Sequence, residues 1–210
     1  MSVLISLAGC FGSDPVAPPP APPPEPVRPP LTTPGPLPLR PEAPGDPAAT
    51  IGADNCDDLA DGGPVAGPDC VTQRITCGQT IAGHTRGGAA AFDTKFYEKQ
   101  YCTPALTNHS SGDERVYLLS LPDGDRHASI WLDTPCADLD LAAMRVTDAE
   151  KCPTVDSAIK QCEMSIQPGQ RRERVDIVSQ TPSDWLIVVE GKNDAEGAFA
   201  LTVQCGDGIR

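Results

Sequence analysis

From about residue 70 to residue 205, apolar and polar side chains alternate with a period of two more often than with the 3.6 of a helix. "RVYLLSL" sets Val116, Leu118 and Ser120 on one side and Tyr117, Leu119 and Leu121 on the other. "ASIWLD" opposes Ile130 and Leu132 to Ser129 and Trp131, and "DWLIVVEG" opposes Trp185, Ile187 and Val189 to Leu186, Val188 and Glu190. In "AFALTVQC" the in-phase set is Phe199, Leu201, Val203 and Cys205. Such runs predict half-buried strands, separated by turns of which "PDGD" at 122–125 and "KNDAEG" at 192–197 are the clearest. Many short strands with few helical stretches predict an all-β, jelly-roll-like antiparallel sandwich of two sheets. Cys205, in phase with the apolar face of the last strand, is placed to pin that strand to another element, with Cys77 after "RITC" as the candidate partner.

The alternation is missing from the first 50 residues. Between Pro15 and Pro47 there are 16 prolines in 33 residues, with almost no large apolar side chain to bury. Proline fixes φ and removes the amide donor, so the expectation is a disordered tether with polyproline II character, reaching on the order of 100 Å at about 3.1 Å per residue. Ahead of it, an apolar run from Val3 leads into Leu7-Ala8-Gly9-Cys10, which resembles the lipobox of bacterial lipoprotein signals, where the cysteine becomes the acylated N-terminus. Such a signal opens with Lys or Arg, and none occurs before Arg28, which implies that the true start lies upstream. The expected organisation is a signal segment at 1–9, the anchor Cys10 and linker over 10–50, an acidic cysteine-containing segment at 51–72, and the sandwich at 73–210. Phe11 follows the anchor in place of an inner-membrane retention aspartate, so the expected location is the outer membrane, with the membrane itself a partner through the lipid.

Export changes how the remaining cysteines read. Cys56, Cys70, Cys77, Cys102, Cys136, Cys152, Cys162 and Cys205 form an even set in the globular part, which predicts a disulfide framework. Of the local pairs, Cys56 with Cys70 and Cys152 with Cys162 are preferred, because each would close a short, turn-rich loop. No pair has C-x-x-C spacing, which argues against zinc. From residue 51 onward 14 Lys plus Arg stand against 25 Asp plus Glu, a balance of −11 that would repel phosphate backbones, so nucleic acid is not an expected partner. The one basic knot, Arg171, Arg172 and Arg174 in "GQRRERVDI", reads as the solvated turn before a strand.

The order "DERVYLLSL", "ADLDLAAM", "DWLIVVEGKNDAEGAFALTVQC" resembles the bacterial pre-peptidase C-terminal domain, over roughly Ile75 to Cys205. It is also similar in pattern to the related collagen-binding sandwiches. The closing strands carry the resemblance through Val189, Gly191, Gly197, Phe199, Leu201, Thr202 and Val203. Phe199 stands where the family usually has Tyr, and Ala200 where it usually has Thr. The resemblance implies a β-sandwich acting as an accessory or adhesive module, with a surface protein or polysaccharide as partner.

Candidate chemistry is sparse. Asp138 and Asp140 in "ADLDL" share one side of a strand and, with loop oxygens, offer a start on a calcium site; so do Asp54, Asp57, Asp58 and Asp61 around Cys56. Calcium takes six to eight oxygens and no D-x-D-x-D-G register is present, so carboxylates fixing turns are the favoured reading and no cofactor is required. There is no G-x-S-x-G, no H-E-x-x-H and no glycine-rich phosphate loop, and the chain is not read as an enzyme. "FDTKFYEKQY" places Phe92, Phe96, Tyr97 and Tyr101 along one broad side of a short helix. Core packing is the first reading of that stripe, and an exposed binding patch the second.

Overall fold

The computed structural model describes residue 56 and residues 70–100, 102, 112–123, 126–149 and 151–207. The lipobox-like segment with Cys10, the proline-rich linker, Asp54, Asp57, Asp58, Asp61 and Tyr101 lie outside the described residues.

Among the described residues, nine strands and one short α-helix follow in the order β1 (Val71–Ile75), β2 (Thr80–His84), α1 (Thr94–Lys99), β3 (Arg115–Leu121), β4 (Arg126–Asp133), β5 (Leu139–Val146), β6 (Gln161–Ser165), β7 (Glu173–Ser179), β8 (Ser183–Gly191) and β9 (Ala198–Asp207). They form two sheets, one ordered β1-β3-β8-β5-β6 and one ordered β2-β9-β4-β7. Only β1 against β3 is parallel; every other described ladder is antiparallel. The chain is therefore a disulfide-stabilised β-sandwich, and the alternation explains it. Tyr117, Leu119, Ile130, Leu132, Leu141, Trp185, Ile187, Phe199, Leu201 and Val203 all bury between the sheets. Each such side chain contributes about 1.5–3 kcal/mol on burial. Tyr117 and Phe199 meet edge to face across this core, with ring centroids 6.3 Å apart.

The expectation of half-buried strands needs correction for the five-stranded sheet. Val116, Leu118, Ala142, Met144, Leu186 and Val188, on its outer face, are also buried, forming a second apolar cluster with Phe92, Phe96 and Tyr97. The physical cause is α1, which lies over that face. A six-residue helix is too short to persist alone; here Asp93 caps it by accepting from the Phe96 amide at 2.7 Å, and Phe96 and Tyr97 anchor it.

All eight globular cysteines pair, as Cys56–Cys136, Cys70–Cys152, Cys77–Cys205 and Cys102–Cys162. Cys77 with Cys205 agrees with the phase argument from the last strand. The two local pairings are corrected: Cys56 does not join Cys70, and Cys152 does not join Cys162. Every bridge links segments 60 to 128 residues apart. Cys70, Cys102, Cys152 and Cys162 belong to the second cluster, so two of the bridges join segments that pack on the outer face of the five-stranded sheet.

The crossing from β6 in one sheet to β7 in the other is held by Glu173. Its buried carboxylate accepts from the Ser165 hydroxyl and from the Gln167 amide at 2.9 Å. Between β8 and β9, the Ala195 amide donates to the Lys192 carbonyl at 3.1 Å and closes a turn in which Asn193 and Asp194 take φ of 54° and 62°. Asn and Asp are the side chains that tolerate this left-handed region best after glycine, which is why "KND" sits there.

Candidate functional site

The aromatic stripe resolves first. Phe92, Phe96 and Tyr97 are buried, with Phe92 and Phe96 centroids 4.7 Å apart and Phe96 meeting Tyr97 edge-on at 5.5 Å. The exposed-patch reading of these three is therefore corrected: they supply the apolar area that holds α1 on the sheet.

Tyr97 leads to a feature that the sequence reading missed. Its hydroxyl donates to the Glu190 carboxylate, which is 2 % exposed. Glu190 pairs in register with Asp140 on β5, and the pairing of Arg115 with Val189 brings Glu114, one residue before β3, to its other side. Parity puts all three carboxylates on the outer face of the five-stranded sheet, at the end of the apolar rows Val116–Leu118, Val188–Leu186 and Ala142–Met144. Glu114 is satisfied by two backbone amides, those of Ala91 and Phe92, each at 3.0 Å. Those two bonds fix the chain entering α1.

Three buried carboxylates on neighbouring strands cannot all be charged. Burial pushes Glu190 up to about 9, countered in part by the Tyr97 bond and reinforced by Glu114 and Asp140. Burial likewise raises Asp140 and Glu114 each to about 7, and the Tyr97 hydroxyl well above its ordinary range. Near neutral pH Glu190 holds its proton, and the row is a set of electrostatically coupled acids under α1. Its buried atoms offer no room for a substrate to reach them, so the arrangement suits a structural role. In sequence the signal was a single acid ending each of three apolar period-two faces.

For Asp138 and Asp140, the alternation in "ADLDL" is correct, since Leu139 and Leu141 enter the inter-sheet core. The calcium expectation is not met by the donor set. Among the described residues no group of three or more His, Cys, Asp or Glu side chains is placed to hold a metal ion, whereas calcium needs six to eight oxygens. Lys192 lowers the Asp140 carboxyl and partly offsets its burial.

On the opposite side, the outer face of the four-stranded sheet carries a charged and aromatic network over β4 and β7. The Arg174 guanidinium lies 4.3 Å from the centroid of Trp131, and Arg172 lies 5.7 Å from it. Arg172 Nε donates to Asp133 at 2.6 Å. Arg174 donates to Asp176 at 2.8 Å, and Ser129 donates to the same carboxylate at 2.6 Å. The basic knot is thus split by strand geometry: Arg174 falls on β7 opposite Trp131, while Glu173 turns inward. Arg and Trp are among the side-chain types enriched at the energetic centres of binding interfaces.

The chain was also compared with known proteins. No family model matches it, and no curated protein does. Among solved structures, it is similar to the pre-peptidase C-terminal domain of collagenase from Bacillus anthracis, with 13 % sequence identity, a TM-score of 0.40, and coverage of 63 % of this chain and 93 % of that one. The sandwich assignment rests on the strand order and ladders of this chain.

Proposed function

We propose that this protein is a lipid-anchored, exported, noncatalytic interaction module, adhesive or accessory, held off the outer membrane by its proline-rich stalk. The observation that carries the reading is the set of four disulfides joining distant segments, which form and persist in oxidising compartments. An exported chain gives the lipobox-like Leu7-Ala8-Gly9-Cys10 a purpose, and the 16 prolines between Pro15 and Pro47 suit a spacer. The buried acids favour a noncatalytic role, because a general acid or base must lie within hydrogen-bond reach of a substrate.

Intact mass spectrometry of the native protein, with and without reductant, tests the reading. Acylation at Cys10 and a gain of eight protons on reduction are expected, with Cys10→Ala abolishing the acyl mass and the membrane fraction. An unacylated cytosolic chain with free thiols would overturn it. The module itself should bind an envelope or host surface polymer saturably after the stalk is removed by proteolysis. Cofractionation with envelope proteins without saturable binding would instead mark a purely structural envelope lipoprotein, and turnover of a substrate or inhibition of a protease would mark a hydrolase or inhibitor.

A further inference from the structure

The end of the five-stranded sheet away from the carboxylate row opens into a cleft of about 450 Å³, lined by Ser120, Pro122, Arg145, Lys160, Pro182 and Asp184 among others. A second cleft of about 360 Å³, past the Cys152 bridge, shares Val146 and Thr147 with it, so the two run together over the exit of β5. We propose that this groove docks an extended acidic peptide segment, one carboxylate of which is held by Arg145 and Lys160.

Charge makes the first part of the case. In a chain with a net charge of −13, these two cations line one cleft. Among the described residues neither has a carboxylate partner. The Arg145 guanidinium donates to the Thr181 hydroxyl at 2.9 Å and keeps further N–H groups for a ligand. The Lys160 amide, one residue before β6, donates to the Arg145 carbonyl at 3.1 Å, which makes the two residues backbone neighbours at the cleft. By contrast Lys151, in the second cleft, already pairs with Asp148 at 3.3 Å.

The ligand class follows from the other walls. Asp184 faces the same space, engaged by the Ser120 hydroxyl at 2.6 Å, and it opposes a phosphate dianion more strongly than a singly charged carboxylate. The guanidinium fork matches a carboxylate with two parallel hydrogen bonds. Among the described residues no aromatic side chain lines either cleft, so they offer no stacking platform for a sugar ring there. Pro122 and Pro182 flank the entrance, and the paired clefts offer length for several residues of extended chain at about 3.3 Å each.

The inference rests on reading the domain as an interaction module and deepens it by naming a partner class. Its test uses the purified full chain, so a missing lipid at Cys10 leaves the measurement valid, and loss of peptide binding leaves the export reading standing. A fluorescein-labelled Glu-rich decapeptide, with its Gln counterpart, is titrated by fluorescence polarisation at about 0.15 M salt, where repulsion beyond about 8 Å is screened. The Glu peptide should bind saturably at one site and the Gln peptide should not. Arg145→Gln should weaken binding about tenfold, and Lys160→Glu by at least as much, as expected for losing one charge-assisted contact. Lys160 is exposed, so Lys160→Glu should leave Tm unchanged and decides the matter even if Arg145→Gln perturbs folding. No binding by the Glu peptide, or equal binding by Lys160→Glu, would overturn the site. Stronger displacement by polygalacturonate than by unlabelled peptide would reassign it to an acidic glycan, and by inorganic phosphate to a simple anion; either would overturn the peptide assignment.

Discussion

Replacing Glu190 by Gln isolates the energetic consequence of the buried carboxylate row. The Glu190 carboxyl is raised from an ordinary 4.5 to about 9, chiefly by burial. A group whose folded pKa lies above its unfolded value contributes stability that is fully present below the unfolded pKa and is lost as pH rises through the folded one. Its window therefore runs from about 4.5 to about 9. At pH 7 the unfolded chain has released this proton and the native chain has kept it. At about 1.4 kcal/mol per unit, that costs the fold about 3 kcal/mol relative to acid conditions. Glutamine cannot ionise, matches the shape and still accepts from Tyr97, so the variant removes that penalty. It also introduces a buried amide whose N–H groups cost about 1–3 kcal/mol if unpaired. Glu190→Gln should therefore lie within about 2 kcal/mol of the native protein at pH 7. The decisive quantity is the slope. Urea unfolding at pH 5, 7 and 9 should show native stability falling steadily, with Asp140 and Glu114 adding to the fall below about pH 7. The variant should fall less, gaining on the native protein by about 5 kcal/mol between pH 5 and pH 9. Parallel curves would mean that Glu190 is charged in the native state, and the burial argument would be refuted.

Three further outcomes follow from the packing. Phe96→Ala should cost about 3–5 kcal/mol in urea unfolding, because the ring is buried between α1 and the sheet; a change under 0.5 kcal/mol would return the aromatic stripe to the surface. Gly191→Ala should destabilise by about 3 kcal/mol or more, because a Cβ there would sit 1.6 Å from the Ala195 carbonyl oxygen; an unchanged Tm would show that the β8–β9 turn is not as close as described. The double variant Cys77→Ser with Cys205→Ser frees a loop spanning 128 residues and should lower stability by about 4 kcal/mol on chain entropy, measured as a drop in urea midpoint under non-reducing conditions.

The face of each strand was legible from residue type alone. An antiparallel strand exposes alternate side chains to opposite sides, so Tyr117 with Leu119, Ile130 with Leu132 and Trp185 with Ile187 each sorted onto one face, and the core phase of Phe199 and Cys205 fitted Cys77 as the partner. The candidate sites were less legible. Whether the stripe from Phe92 to Tyr97 was core or patch depended on what lay beneath it, and period-two patterning does not report what covers a sheet's second face. For the same reason the alternation alone leaves the burial of Glu190 open, and only Glu114 ahead of β3 and Asp140 on β5 bring three acids side by side.

Local chemistry therefore determined the strands, the sorting of side chains onto their two faces and the turns, because backbone sterics and burial act residue by residue. Only the tertiary structure decided which strands are neighbours. That order placed Cys70 beside Cys152, closed α1 over the carboxylates and gathered Arg145 and Lys160 into one cleft. Pairing between strands depends on contacts that sum over the whole chain, and no short stretch of residues encodes them.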